Sequence, residues 1–338
     1  MSEESVIQNK KSNVPQPETS QFADSVQLHV EKTVVGQETV LERTLISLLT
    51  GGHLLLEGVP GTAKTLMVQS VAHAIELHFG RVQFTIDLLP SDIIGSEILD
   101  KDTGEFRTHK GPIFTNLLLA DEINRASPKV QSALLEAMQE RKVTIGENTF
   151  TLPSPFLVIA TQNPVEQAGT FELPEAQLDR FLLRHRLTYL DSDDEAEVLR
   201  RALKLKLIRS EDGGAMPMTA FDAIDKSSPL AISDLTTAME KVLEVHVSEV
   251  FVRHCVDLVN RTRNHPDIEL GGSPRAGIAL VTASRARAFL HGRDYVVPED
   301  IFALAEDIVL HRIRLSYEAV ARGRKGEDVL AEILDQLA

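Results

Sequence analysis

At 338 residues, with 43% hydrophobic and 25% charged residues, the chain has ordinary globular composition and room for about two domains. Its 50 acidic against 35 basic residues leave a formal charge of -15, which argues against broad nucleic-acid binding and against docking on anionic lipid, though not against a local basic groove. The single cysteine, Cys255, excludes an intrachain disulfide, and no apolar run approaches the ~20 residues of a membrane span, so a soluble cytoplasmic protein without membrane insertion is expected.

Residues 1–21, rich in Ser, Gln, Asn, Lys and Pro and lacking the apolar core of a signal peptide, read as a flexible tail. Helical periodicity then runs from Phe22 to Gly52, broken at Gly36. "HLLLEG" is a short apolar run of the kind buried on both faces of a parallel sheet. "TLMVQSVAHAIELHF" predicts a helix, and "RVQFTID" a strand with Val82, Phe84 and Ile86 on one face. "NLLLADE" is a second buried strand. Ser127 and Pro128 then open the helix "SPKVQSALLEAMQER" as N-cap and first residue. "FLVIATQN" and "HRLTYL" complete five strands. The alternation predicts an α/β sandwich around a mostly parallel five-stranded sheet, spanning residues 22–192. Two segments interrupt it as hairpins, Glu97–Lys110 about an Asp-Thr-Gly turn and Lys142–Leu152 about Gly146-Glu147-Asn148. A charged helix and a Gly/Pro/Ser-rich linker cover 193–229. From 230 to 338 only helices are expected, near 233–245, 248–264, 274–291, 298–313 and 327–337.

The chemistry concentrates at the ends of three strands. "GVPGTAKT", Gly58 to Thr65, leaves a buried strand and opens directly into a helix, the context in which backbone N–H groups and the helix dipole cradle phosphates. Gly58, Pro60, Gly61, Thr62, Ala63, Lys64, Thr65 and Leu66 are the expected nucleotide-binding set. Lys64 reaches the β- and γ-phosphates, and the Thr65 hydroxyl ligates Mg²⁺. Ala63 stands where G-x-x-x-x-G-K-[ST] asks for glycine. If its φ is negative, the methyl group carries no left-handed penalty and alanine is tolerated. "LLLADE" ends in Asp121, a metal-binding carboxylate acting through water, and Glu122, which can polarise an attacking water. The third strand ends "VIATQNP", where Asn163, with Gln162 as the fallback, can hydrogen-bond a γ-phosphate or that water.

With these strings in order, the chain resembles AAA+ ATPases and specifically the MoxR family, over roughly residues 25–320. The resemblance is carried by "LLLEGVPGTAKT", "DLLPSDIIG", "LLLADEINRASPKVQSALLEAMQERKVT", "VIATQNP", "LPEAQLDRFLLR" and "SPRA". It implies an AAA+ P-loop αβα sandwich followed by an all-α lid, binding ATP or ADP with Mg²⁺. It also implies roles that spacing alone does not give. Asn163 matches sensor 1, and Arg180 in "LDRF" matches an arginine finger acting on a neighbour in a ring, usually of six. Arg275 in "SPRA" matches sensor 2, brought over the bound phosphates when the lid closes. Arg125 is either a second interfacial arginine or a cap. Val34, Val35 and Gly36 resemble the segment that packs on adenine, though the valines fit plain core equally. The hairpins resemble inserts that meet partners or a central pore, and fit inert ribbons as well.

The function implied is a chaperone-like motor that remodels or matures a partner, typically one with a von Willebrand factor A domain. Three other functions share the motifs. The ATPase subunit of a magnesium or cobalt chelatase would be marked by an integrin-type partner and a porphyrin-pathway context. A nucleic-acid motor would need Lys101, Arg107 and Lys110 gathered on one face, against the prevailing acidity. A nucleotide switch without turnover is disfavoured by Glu122.

Overall fold

The computed structural model describes residues 20–58, 63–102, 104–163, 169–204, 206–209, 214–218 and 227–337. Of the sequence expectations, the tail to residue 19, the loop residues Pro60, Gly61 and Thr62, and most of the linker between 210 and 226 lie outside the described residues.

Helices α1 (Gln21–Val30) and α2 (Glu38–Thr50) precede β1 (Leu54–Glu57), α3 (Lys64–Ala74) and β2 (Phe79–Gln83). A short helix, α4 (Pro90–Ile94), leads into the antiparallel hairpin β3 (Gly95–Leu99) and β4 (Phe106–Lys110), and β5 (Leu117–Asp121) returns to the main sheet. Helix α5 (Pro128–Glu140), the hairpin β6 (Lys142–Ile145) and β7 (Asn148–Thr151), β8 (Leu157–Gln162), α6 (Glu175–Leu178) and β9 (Leu183–Arg186) complete the α/β layers. Helix α7 (Ser192–Leu203) and a third hairpin, β10 (Lys206–Arg209) and β11 (Ala215–Met218), follow. The C-terminal region holds α8 (Ile232–Glu244), α9 (Glu249–Asn264), β12 (Ile268–Leu270), α10 (Pro274–Leu290), α11 (Pro298–Val309), β13 (Arg314–Leu315), α12 (Tyr317–Ala321) and α13 (Gly326–Asp335).

The five-stranded sheet has the order β2-β5-β8-β1-β9, and every neighbouring pair is parallel. Helices cover both faces, which is why β1, β5 and β8 read as continuous apolar runs. Leu54, Leu56, Leu117, Leu119 and Ile159 enter one core; Leu55, Leu118, Ala120, Val158 and Ala160 enter a second, against α5 and the β6–β7 hairpin. The first core continues without a break into α8–α11 and α13.

Ion pairs reinforce that junction. Arg43 of α2 donates through Nε to Asp307 at 2.5 Å and through Nη2 to the Ala303 carbonyl at 2.8 Å, and His185 meets the same Asp307 at 3.0 Å. Glu42 pairs with Arg287 at 3.2 Å and His291 at 2.8 Å. The helical C-terminal region is thereby fixed onto α2 and β9. Among the described residues no helix is long and apolar enough to cross a membrane.

Several boundaries differ from the sequence expectation. Helix α3 stops at Ala74 instead of reaching Phe79, because Glu76 takes a left-handed φ of 52° and the Leu77 N–H closes onto the Ala72 carbonyl at 2.9 Å. Strand β2 therefore starts at Phe79 and ends at Gln83; Phe84 is still buried, but the chain then leaves the sheet and Ile86 is 66% exposed. The last strand begins at Leu183, which pairs with Leu54, rather than at His185. The β10–β11 hairpin falls where helix and linker were expected, and the otherwise helical C-terminal region carries one short antiparallel ladder, β12 with β13. The two hairpin inserts lie side by side: Lys110 Nζ sits 4.9 Å from the Phe114 ring centre and 5.1 Å from that of Phe150.

Candidate active site

The site lies beyond the carboxyl ends of β1, β5 and β8, where ligands bind in open parallel sheets. Gly58 follows β1 directly. A Cβ at Gly58 would stand 2.8 Å from Leu187 Cβ, so only glycine lets the chain leave the sheet there. Lys64 opens α3 and donates to the Gly58 carbonyl at 2.9 Å, joining the two ends of the loop. Burial draws its ammonium below the ordinary lysine value, and the Asp121 and Glu122 carboxylates pull it back up. Ala63 is the N-cap of α3 with φ 53° and ψ 22°. The condition under which alanine was expected to be free of penalty is not met: the position is left-handed, and the methyl group carries roughly 1 kcal/mol of strain.

The two acidic residues are held from both neighbouring strands. Asp121 Oδ1 accepts the Thr161 hydroxyl at 2.6 Å, and its Oδ2 accepts Arg81 at 2.7 Å. Glu122 sits in the left-handed region, φ 57°, and its N–H donates to Thr161 Oγ1 at 2.8 Å. Since that hydroxyl accepts from Glu122, its one proton points to Asp121. Glu122 Oε2 accepts Gln83 Nε2 at 2.8 Å and pairs with Arg125 Nε at 3.0 Å. Arg125 is thus engaged with Glu122 of its own chain, with part of its side chain still exposed.

These groups line one cavity of about 820 Å³, within the usual range for small-ligand sites. Its polar end holds Lys64, Thr65, Asp121, Glu122 and both Gln162 and Asn163. Its other end is largely apolar: Val34 and Val35 with Leu190, Val198 and Leu199. Gly58, Ala63 and Leu66 also line it. The residues fit a nucleotide with its metal. The N-terminus of α3 and Lys64 suit phosphates, the apolar end suits a base, and the Thr65 hydroxyl with the Asp121 carboxylate offers the hard oxygen donors that Mg²⁺ takes.

Arg180 and Arg275 are absent from the cavity lining. Arg180 donates to the Leu135 carbonyl at 3.0 Å. Arg275, in the first turn of α10, lies 3.7 Å from Asp179, and Arg312 pairs with the same carboxylate at 2.8 Å. In this arrangement Arg275 is held at Asp179, away from the cavity lining. Docking of α10 and α11 onto α2 and the α6 turn sets it against Asp179, the residue before Arg180 in the chain.

Sequence reasoning missed Arg81, Gln83, Thr161 and the α7 wall. Arg81 and Gln83 flank the inward Val82 in period two, so correct strand ends would have aimed both at the strand termini. Helix α7 buries none of its residues, and its charge conceals Val198 and Leu199.

Comparison with known proteins bears on the family and the fold. The family described as ATPases associated with various cellular activities (AAA) matches residues 53–183, and the AAA lid domain matches 260–333. The chain is 44% identical to Bacillus subtilis YeaC over 90% of its own length and 91% of that protein's. It is 42% identical to chaperone MoxR1 of Mycobacterium tuberculosis, covering 91% of this chain and 80% of the relative, and 32% identical to protein MoxR of Methylorubrum extorquens over 85% of each. A crystal structure of a Cytophaga hutchinsonii protein assigned as an ATPase superposes with a TM-score of 0.81 at 44% identity, covering 93% of this chain and 94% of that one.

Proposed function

The chain belongs to the MoxR family of AAA+ ATPases and hydrolyses ATP, and we propose that it couples Mg²⁺-dependent hydrolysis to the remodelling or maturation of a partner protein, working as a ring of identical subunits, six in number. The partner carries a von Willebrand factor A domain, as the family resemblance implies, and the setting is the cytoplasm. The chaperone name of the Mycobacterium relative supports the remodelling role. Cys255, buried and with its thiol pushed up to about 12 by that burial, is an inert core residue suited to a reducing compartment.

One observation carries the catalytic reading: Lys64, the Asp121–Glu122 pair and Asn163 converge on a single cavity from three separate stretches of chain. Lys64 offsets phosphate charge at the N-terminus of α3. Thr65 and Asp121 would hold the metal, which when bound supplies Lewis-acid withdrawal of charge from the phosphoryl oxygens. Glu122 orients the attacking water, and its contacts with Gln83 and Arg125 both fall on one carboxylate oxygen, Oε2. Asn163 or Gln162 at the end of β8 contacts the terminal phosphate or that water. Arg180, outside its own cavity, reaches the γ-phosphate of a neighbour in the ring, and Arg275, as sensor 2, comes over the bound phosphates when the lid closes.

Two substitutions test the assignment. Lys64→Ala is expected to abolish nucleotide binding in a fluorescence or calorimetric titration. Glu122→Gln is expected to bind ATP as wild type does while turnover stops. Equal loss of ATP affinity in both variants would contradict the division of roles.

A further inference from the structure

Edge strand β2 sends Arg81 onto the carboxylate that is expected to face the metal. The Arg81 Nη2 donates to Asp121 Oδ2 at 2.7 Å and to Gln83 Oε1 at 3.1 Å. Asp121 Oδ1 is taken by the Thr161 hydroxyl at 2.6 Å, so both carboxylate oxygens are engaged by this chain's own side chains. The Arg81 side chain is 47% exposed and Asp121 17%. Arg81 lines the cavity, and β2 is the outermost strand, so the guanidinium has an open side toward which to move. Lys64 faces the same two carboxylates. A doubly charged ion entering at Asp121 therefore meets a cation already in place on the oxygen it needs.

We propose that Arg81 is a resident counter-cation of Asp121 that a divalent metal must displace, so that metal loading frees a cation at the phosphate end of the cavity. This rests on the nucleotide-and-metal reading of the site. The ion pair is half exposed, so its loss has a moderate effect, and the effect opposes metal binding rather than aiding it.

The test is Mn²⁺ binding to the full chain with saturating ADP, read from the electron paramagnetic resonance signal of free Mn²⁺ without any turnover. Arg81→Met is expected to tighten Mn²⁺ by about two- to five-fold, the range of a partly exposed ion pair. Arg81→Lys, which keeps the charge, gives less of this gain. In an Asp121→Asn background the Arg81→Met gain disappears, because the oxygen competed for is no longer anionic. Arg81→Gln replaces Arg81→Met if the latter fails to fold, as a urea midpoint reports. The proposal is overturned if neither neutral variant binds Mn²⁺ more tightly than wild type, or if the gain persists undiminished without the Asp121 carboxylate. Wild-type protein that retains no Mn²⁺ with ADP overturns the metal reading of the cavity, and this proposal with it.

Discussion

Two groups of cations in this molecule are arranged in contrasting ways. In the cavity, Arg81 and Arg125 each rest on one of the two carboxylates, and Lys64 closes on a carbonyl within hydrogen-bond reach, so positive and negative charge nearly balance. Around Asp179 the balance fails: Arg312 and Arg275 share one carboxylate, and Arg180 is the next residue along the chain. Burial depresses the Arg312 guanidinium, with Asp179 pulling it back up, so this arginine is a structural post. Arg275, with 57% of its side chain exposed, is not. The difference teaches that one cluster is complete in its own chain, whereas the other presents surplus cation outward, as a group awaiting an anion from elsewhere would.

The sharpest way to break that contrast is Arg180→Ala. On the trans reading, turnover falls by about 10³–10⁵, because an arginine supplied by a neighbour neutralises charge developing on the transferring phosphoryl group. ATP affinity per subunit stays near wild type, since Arg180 does not line its own cavity. Mixing Arg180→Ala with Lys64→Ala subunits then restores part of the activity, because an intact loop meets an intact finger where the two types are neighbours. Rings of the expected size by light scattering that demonstrably contain both variants, for example by co-purification of one tagged variant with the other, and stay as inactive as their parents would show that Arg180 does not act between subunits.

The same contrast explains what could be read from the sequence. Lys64, Asp121 and Glu122 were legible because each follows a buried apolar strand within a few residues, so local pattern alone brings them to one sheet edge. The parallel five-stranded sheet was legible for the same reason. The position of Arg275 depends on docking of α10 and α11 against α2 through pairs such as Arg43 with Asp307, separated by hundreds of residues, and no local pattern reports that. Arg81 and Gln83 were missed because the strand's end was misplaced: apolar alternation, correct in phase, was followed past Gln83 into a segment that leaves the sheet. The left-handed backbone at Ala63 was missed because alanine gives no sign of it.

A middle-sized effect is expected at Thr161, whose single hydroxyl serves both acidic residues. Thr161→Val keeps the shape and removes the proton given to Asp121 and the lone pair taken by the Glu122 N–H. A hydrogen bond to a charged group is worth enough to lower kcat by about ten- to a hundred-fold. KM for ATP should change little, because neither bond touches the loop or the apolar end. Thr161→Ser should recover most of the rate, as a merely space-filling role would not allow. A uniform loss of nucleotide affinity in Thr161→Val would place this residue with the cavity wall instead of the acidic pair.

The smallest effect belongs to Ala63, and its sign is informative. The residue holds φ 53° at the start of α3, where a Cβ crowds the backbone and glycine does not. Ala63→Gly removes that strain but adds freedom to the unfolded chain, so the two terms partly cancel. A net stabilisation of about 0.5 kcal/mol is expected, read as a small rise in urea midpoint at unchanged slope. ATP affinity should stay within a few-fold, because the N–H of this position points the same way with either residue. A fall in stability on this substitution would mean that alanine reaches a right-handed conformation in solution, and that the loop before Lys64 opens α3 without the left-handed step.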